Sequence, residues 1–362
     1  MVRIPVKRFV KIQVGKSLAW TGLWNRMARE WAQHHTALIL SYHRVIEKWD
    51  RALDYSQPGM VVTAQTFDRQ LSFLKDHFDV VSLGSLLENG KGDRLAGRPR
   101  CVITFDDGWR DNYDLAFPIL RKHDIPATVF VTTDFIGTKR AFWHTELSWL
   151  LLQIEPQFLR DETVFRAWPA PARHYLRRLA RIGQVRSAHD VDPVIETIKA
   201  MCDEKTIEEL IQGLRRAMGV SKPLFPERRL FLDWDQVGEM SASGMEIGSH
   251  GCTHRILTRL PIEEANEELV RSKAAIERRV GREVQHFAFP NEAASGALLR
   301  MAASAGYRTA CVGGSAKAAD GQRAIRVLRR LGMHEAVCSD GHSFHEALLL
   351  AWLLRAPKET LA

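Results

Sequence analysis

Cys101-Val102-Ile103-Thr104-Phe105-Asp106-Asp107-Gly108 is an apolar run rich in β-branched residues that stops at two adjacent carboxylates and a glycine. Such a run reads as a parallel strand buried on both faces. Neighbouring side chains on a strand point to opposite faces, so Asp106 and Asp107 share one site only if the strand is ending there. Gly108 supplies the freedom to turn. In α/β sheets and barrels, chemistry collects at the carboxyl ends of strands, where loops carry polar groups without disturbing the core. Taken alone, the same residues also describe a plain turn at Asp107-Gly108, with Asp106 capping a helix from Trp109 onward.

The second half of the pattern is Gly248-Ser249-His250-Gly251-Cys252-Thr253-His254, which follows the short apolar stretch Met245-Glu246-Ile247. Two histidines four positions apart lie on one face of a helical turn, where both imidazoles can reach one divalent ion. Such a pair is structural as readily as it is metal-binding. Asp107, a carboxylate from another strand, is the third ligand that turns the reading towards a metal. Cys252 between the histidines reads as a small buried thiol, because three ligands are already present and a catalytic site keeps one position open.

At 362 residues, with 45% hydrophobic and 26% charged residues, the chain is globular and long enough for one large domain or two ordinary ones. The net charge of +8 favours acidic partners: anionic lipid, acidic glycan or nucleic acid. No RNA- or DNA-binding motif accompanies it, so a nucleic-acid partner is not expected. Five scattered cysteines without paired spacing suit reduced thiols in a cytosol. Residues 1–35 form a basic segment with Arg3, Lys7, Arg8, Lys11 and Lys16 but no uninterrupted hydrophobic core of a secretory signal. Nor does any stretch have the roughly 18 uncharged apolar residues of a membrane span. The segment suits either a peripheral contact with an anionic membrane or a tail packed on the domain. The expected location is cytoplasmic, with peripheral attachment to the inner face of the cell membrane as a further reading.

Thr36 to Tyr42 reads as a first buried strand ending at His43-Arg44. His43 there either faces the same mouth as Asp106 or is a satisfied core histidine. Thr66 to His77 reads as a helix, Phe78 to Ser82 as a short strand, and Gly90 to Arg98 as a surface loop. Asp111 to His123 is helical, and Ala127 to Val131 is a second buried strand. This strand–helix–strand unit makes the class α/β with parallel strands. Residues 139–229 form a helical insertion with a basic face at Arg173 to Arg181. Trp143 at its start either stacks on a sugar or belongs to a core. The α/β rhythm then resumes, with helices over 234–241 and 261–279 and strands at His286 to Phe289, Tyr307 to Val312 and Ile325 to Leu328. Residues 336–362 end in an apolar helix, Ala347 to Leu354, that docks on the domain or on a partner helix.

The order Thr104-Phe105-Asp106-Asp107-Gly108, then His250-x-x-x-His254, resembles the polysaccharide deacetylases, carbohydrate esterase family 4 or NodB homology domain, over residues 36–335. Tyr42-His43-Arg44 and Phe287-Ala288-Phe289-Pro290-Asn291 look like the branch associated with exopolysaccharide and lipid-linked glycan synthesis. The resemblance implies a deformed (β/α)7-type barrel with outer helices. It also implies Asp107, His250 and His254 as ligands of a divalent metal, usually Zn2+, with Asp106 as general base and a backbone N–H at Asn291 holding the oxyanion. The implied reaction is N-deacetylation of an amino sugar in a polysaccharide or lipid-linked glycan. Several departures stand out: Gly251 replaces a serine or threonine, and Ala288 to Glu292 replaces a third motif whose arginine sits beside the base. No Asp-Trp motif follows Tyr307. The Leu-x-His that supplies the general acid is also absent, with His334 its nearest stand-in and His43 the rival. These departures leave two other readings open, a glycan-binding or scaffolding protein that has lost turnover and a hydrolase of another C–N bond.

Overall fold

The computed structural model describes residues 36–48, 55–88, 98–182, 187–220, 229–313, 325–339, 343–357 and 359–360, with positions 26, 30 and 185. Most of the basic segment expected over 1–35, and Gly90 to Gly97 of the expected loop, lie outside these residues. The chain divides into two compact units, one taking in 1–47, 59–138 and 231–362, the other 48–58 and 139–230.

The strands of the first unit are β1 (Thr36–Tyr42), β2 (Arg44–Ile46), β3 (Val61–Thr63), β4 (Asp79–Val80), β5 (Arg100–Phe105), β6 (Thr128–Val131), β7 (Glu246–Ser249), β8 (His286–Ala288), β9 (Thr309–Val312), β10 (Arg326–Arg329), β11 (Leu331–Gly332) and β12 (Glu359–Thr360). The main sheet runs β10-β9-β8-β7-β6-β5-β1-β11, with parallel pairing at every step. β10 and β11 are halves of one strand separated by Arg330 alone. The first half pairs with β9 and the second with β1, so the bend at Arg330 brings the two edges of the sheet together. This is the α/β class with parallel strands that the strand–helix–strand rhythm predicts, closed into the barrel that the resemblance implies, with eight segments on the path that make seven strands when β10 and β11 are taken as one.

Side chains alternate across each strand, and the inward set makes the lumen. Ala37 and Ile39 of β1, Val102 of β5, Phe130 of β6, Ala288 of β8, Cys311 of β9 and Leu328 of β10 meet Leu83 and Leu86 of the helix Leu83–Glu88 in one buried cluster. Gly248 of β7 stands opposite Phe130. A Cβ at Gly248 would lie 2.4 Å from the Phe130 ring and 3.1 Å from the His286 carbonyl. Replacing Gly248 by alanine is therefore expected to cost about 1–3 kcal/mol by overpacking, measured as a lower urea midpoint at unchanged slope.

The outer helices follow local signals. The helix Ile262–Val280 starts after Pro261, carries Glu263 and Glu264 in its first turn, and ends at Gly281 in the left-handed conformation (φ 69°). Asp233 and Gln236 form a reciprocal cap on Trp234–Ala242. The helix expected over 111–123 is wider at its start: Asn112–Ala116 is a π turn, the Phe117 N–H reaching the Asn112 carbonyl, and a regular helix runs only over Phe117–His123. The apolar C-terminal helix, Glu346–Leu353, belongs to this unit, with Leu348, Leu349, Leu350 and Leu353 buried.

In the second unit the helices Trp143–Leu152, Ala170–Ile182, Ala188–Met201 and Glu204–Ala217 enclose their own core, including Leu147, Leu151, Trp168, Leu176 and Ile195. The arginines expected to form a basic face sit on Ala170–Ile182.

Candidate active site

β5 ends as its sequence requires. Thr104 and Asp106 alternate with Ile103 and Phe105, and Asp107 then takes φ 75°, followed by Gly108 at φ 78°. The left-handed step at Asp107 breaks the strand alternation, which is how two consecutive carboxylates come to one mouth. A non-glycine residue in this conformation is an uncommon strain of the kind found at functional sites.

The two oxygens of Asp107 have different surroundings. Oδ2 accepts the indole N–H of Trp109 at 2.7 Å. Oδ1 is buried without a hydrogen-bond partner and faces His250 Nε2 at 3.4 Å and His254 Nε2 at 3.2 Å. Three donor atoms, one from each residue, lie within 4.8 Å of one another, the only such group among the described residues. His250 Nδ1 lies 2.7 Å from the Ala288 carbonyl. A carbonyl only accepts, so Nδ1 carries the proton and Nε2 presents its lone pair. A buried acceptor left open beside such an imidazole nitrogen fits a divalent cation. Burial pushes the Asp107 carboxyl up, but the facing histidines outweigh it and hold it well below the usual range.

The histidine loop is not the helical turn its spacing suggests. Residues 250–254 are irregular, with Gly251 at φ 81° and His254 at φ 63°. The imidazoles converge because the chain doubles back around Gly251, leaving ring centroids 5.3 Å apart. Cys252 is buried, with its Sγ 3.7 Å from the Glu268 carbonyl. Burial pushes this thiol up to about 11, and Cys252 is not among the three clustered donors.

Asp106 points into the lumen against Arg330. Nη1 donates to Oδ1 at 2.7 Å and Nη2 to Oδ2 at 2.6 Å, while Nη1 also reaches Thr104 Oγ1 at 3.2 Å. The guanidinium lies over the Phe130 ring at 5.6 Å, and its side chain has 0% exposure. Burial alone would raise the Asp106 carboxyl. The charge of Arg330, then those of His250 and His43, outweigh burial and hold it below its ordinary value. The third motif does lack an arginine, but the expectation that the base therefore has no cation beside it is corrected: one arrives from the bend between β10 and β11.

His43 follows β1, and its Nε2 lies 3.9 Å from Asp106 Oδ2, with the side chain 26% exposed. Asn112 Nδ2 donates to the His43 carbonyl at 2.7 Å, fixing this turn. Of the two histidines weighed as proton donor, His43 is the one at the carboxylates. His334, the other, follows Met333, whose N–H bonds to the Ser41 carbonyl at 2.8 Å, and its ring packs edge-on to Trp352 with centroids 5.9 Å apart. His334 Nδ1 is buried without a partner there.

Asn291 is exposed in the left-handed conformation (φ 55°, ψ 21°), three positions past the end of β8, the strand whose Ala288 carbonyl holds His250. Trp143 belongs to the second unit and packs, half-buried, against that unit's core.

Sequence reasoning missed Trp109, Arg330 and Glu268. Trp109 stands two positions from its carboxylate, and its ring stacks on Phe231 at 4.7 Å beneath the Arg44 guanidinium at 4.8 Å. Its signal was proximity to the aspartate pair. Arg330 had only a faint one, a cation beside an apolar run.

Residues 94–310 match the family described as polysaccharide deacetylase. Over 115 residues the chain is 34% identical to the poly-beta-1,6-N-acetyl-D-glucosamine N-deacetylase of Staphylococcus epidermidis, covering 29% of this chain and 39% of that protein. The enzyme of the same name from Staphylococcus aureus is 31% identical over 113 residues, covering 29% and 39%. The chain thus spans about two fifths of the length of these curated relatives. Among solved structures, the Streptococcus pyogenes deacetylase PplD in complex with acetate superposes with a TM-score of 0.52 at 18% identity, covering 88% of this chain and 98% of that one. IcaB from Ammonifex degensii gives 0.52 at 17% identity, covering 88% and 97%. At these identities the superpositions speak for the fold.

Proposed function

We propose, on the premise that this chain belongs to the polysaccharide deacetylase family, that its barrel mouth hydrolyses N-acetyl groups of amino sugars in a polysaccharide or lipid-linked glycan. The observation that carries the proposal is the buried Oδ1 of Asp107, without a hydrogen-bond partner and facing two imidazole nitrogens, with Asp106 held ionised alongside.

Asp107, His250 and His254 would hold a divalent ion, zinc by the donor set of one carboxylate and two imidazoles, which when bound supplies a Lewis acid for the acetamide carbonyl and acidifies water. Asp106 takes the proton of the attacking water. Arg330 keeps that carboxylate deprotonated and fixed in orientation by binding both of its oxygens. His43, partly exposed and 3.9 Å from Asp106, delivers a proton to the departing amine. A backbone N–H at Asn291, in the left-handed turn after β8, is the proposed donor to the developing oxyanion.

The names of the curated relatives favour N-acetylglucosamine polymers of exopolysaccharide type as the substrate class. Arg330 and His43 supply the cation and the imidazole whose absence from the usual motifs favoured a binding-only protein. The net charge of +8 supports peripheral association with an anionic membrane surface, and five buried cysteines held in no disulfide support a reducing, cytoplasmic setting.

The test is acetate release from β-1,6- and β-1,4-linked N-acetylglucosamine oligomers by the metal-loaded chain. Release from neither, with the sugars still bound, would overturn hydrolysis in favour of recognition. The proton donor has its own test: His43→Gln is expected to lower kcat on N-acetyl sugars by about 10²-fold with metal content unchanged. An acetyl ester with a low-pKa leaving group needs no proton and should be largely spared. Equal losses on both substrates would remove His43 from that role.

A further inference from the structure

We infer that Glu268 is a positioning residue that presets the two histidines for their cation, an inference that rests on the metal site proposed above. Glu268 lies on the helix Ile262–Val280, and its side chain is 3% exposed. Its Oε2 accepts the backbone N–H of Cys252 at 2.6 Å and of Thr253 at 3.0 Å. Its Oε1 accepts the Thr253 hydroxyl at 2.5 Å. Arg255 Nε stands 3.8 Å from Oε1 and donates to Thr253 Oγ1 at 3.2 Å, placing a cation on the far side of the same knot.

One carboxylate thus holds the backbone between the two imidazoles that face Asp107. His250 is separately fixed through Nδ1, so the placement of His254 depends on the path of residues 251–253. That path is unusual, with positive φ at both Gly251 and His254, and a loop bent this way needs an external partner to stay bent. Glu268 supplies it from a rigid helix. One turn further along that helix, Ser272 Oγ meets Ser249 Oγ at 2.7 Å, and Ser249 Oγ accepts the Gly251 N–H at 3.2 Å, so the helix grips the loop at two levels.

The same geometry accounts for Gly251, where a serine or threonine is the family's usual residue. A Cβ at position 251 would lie 2.9 Å from Glu268 Oε2, on a backbone at φ +81°. The carboxylate occupies the space a side chain would need, and it does the loop-fixing that the missing hydroxyl would do. Outer-shell partners of this kind typically change metal affinity by about 10–100-fold when removed.

The experiment strips the full chain of metal and titrates it with Co2+, reading affinity by calorimetry and ligand geometry by the visible absorption band. The unfolding midpoint of each metal-free variant is measured separately. Glu268→Ala and Glu268→Asp, the second withdrawing the carboxylate by one methylene, are expected to bind Co2+ about 10–100-fold more weakly with an altered band. Glu268→Gln keeps an oxygen for the two backbone N–H groups and should stay within a few-fold of wild type by the same reasoning. Equal affinity in all variants overturns the inference. So does a glutamine variant that falls as far as the alanine one, since charge rather than placement would then be at work. If the alanine variant does not fold, the aspartate and glutamine variants decide alone. A wild-type chain that takes up no Co2+ overturns the metal-site reading and this inference with it.

Discussion

Replacing Arg330 by methionine is expected to destabilise the chain by about 3–5 kcal/mol, the cost of leaving one member of a buried ion pair unpaired. Arg330 has no exposed side-chain surface and Asp106 only 3%, so no solvent is at hand to replace the lost partner. Methionine keeps an unbranched apolar side chain in the space and removes the charge together with its hydrogen bonds to Asp106 and Thr104 and its seat over the Phe130 ring. The sign of the pH effect follows from the opposing influences on Asp106. Arg330 lowers its pKa and burial raises it, so without the guanidinium the carboxyl moves up and the acid limb of the rate profile moves to higher pH. In the wild type, the pair's contribution to stability is present above the unfolded pKa of Asp106 and lost as pH falls through the folded one. Chemical denaturation from about pH 2 to pH 7, a span reaching below the unfolded carboxylate value, measures the stability effect, and a pH–rate profile measures the shift of the acid limb. A variant as stable as wild type would show that the pair gives no net support.

Converting Asp106 to asparagine should reduce acetate release by about 10³–10⁴-fold, the upper range for removal of a positioned base. The Asp107, His250 and His254 set should still take up metal, because Asp106 is not among the three clustered donors. Retained turnover would reject Asp106 as the base. Pairing the two substitutions adds a check. Their side chains touch at two points, so the double variant should lose less stability than the sum of the singles. Additive losses would place the cost outside the pair.

Much of this site is legible along the chain. The run from Cys101 to Gly108 states a buried strand, its end and the chemistry placed there, because a double-sided apolar run and two adjacent carboxylates have few other uses. The spacing of His250 and His254 names the ligand types, but the helical turn it suggests is overridden by Gly251 and by the Glu268 carboxylate, a contact reaching across 15 or more positions. His334 stands just after the last strand, and what the sequence does not show is its ring's contact with Trp352, 18 positions on.

Local sequence by itself determined the strand ends, the α/β class and the residue types at the mouth, because alternation, turn chemistry and capping act over a few positions. Only the closed barrel decided which cation stands beside Asp106 and which imidazole faces it. Arg330 lies 224 positions from that carboxylate, and it arrives there because the last strand must bend to pair with both β9 and β1. Pairing at such separation is a property of closure, and no window of sequence contains it.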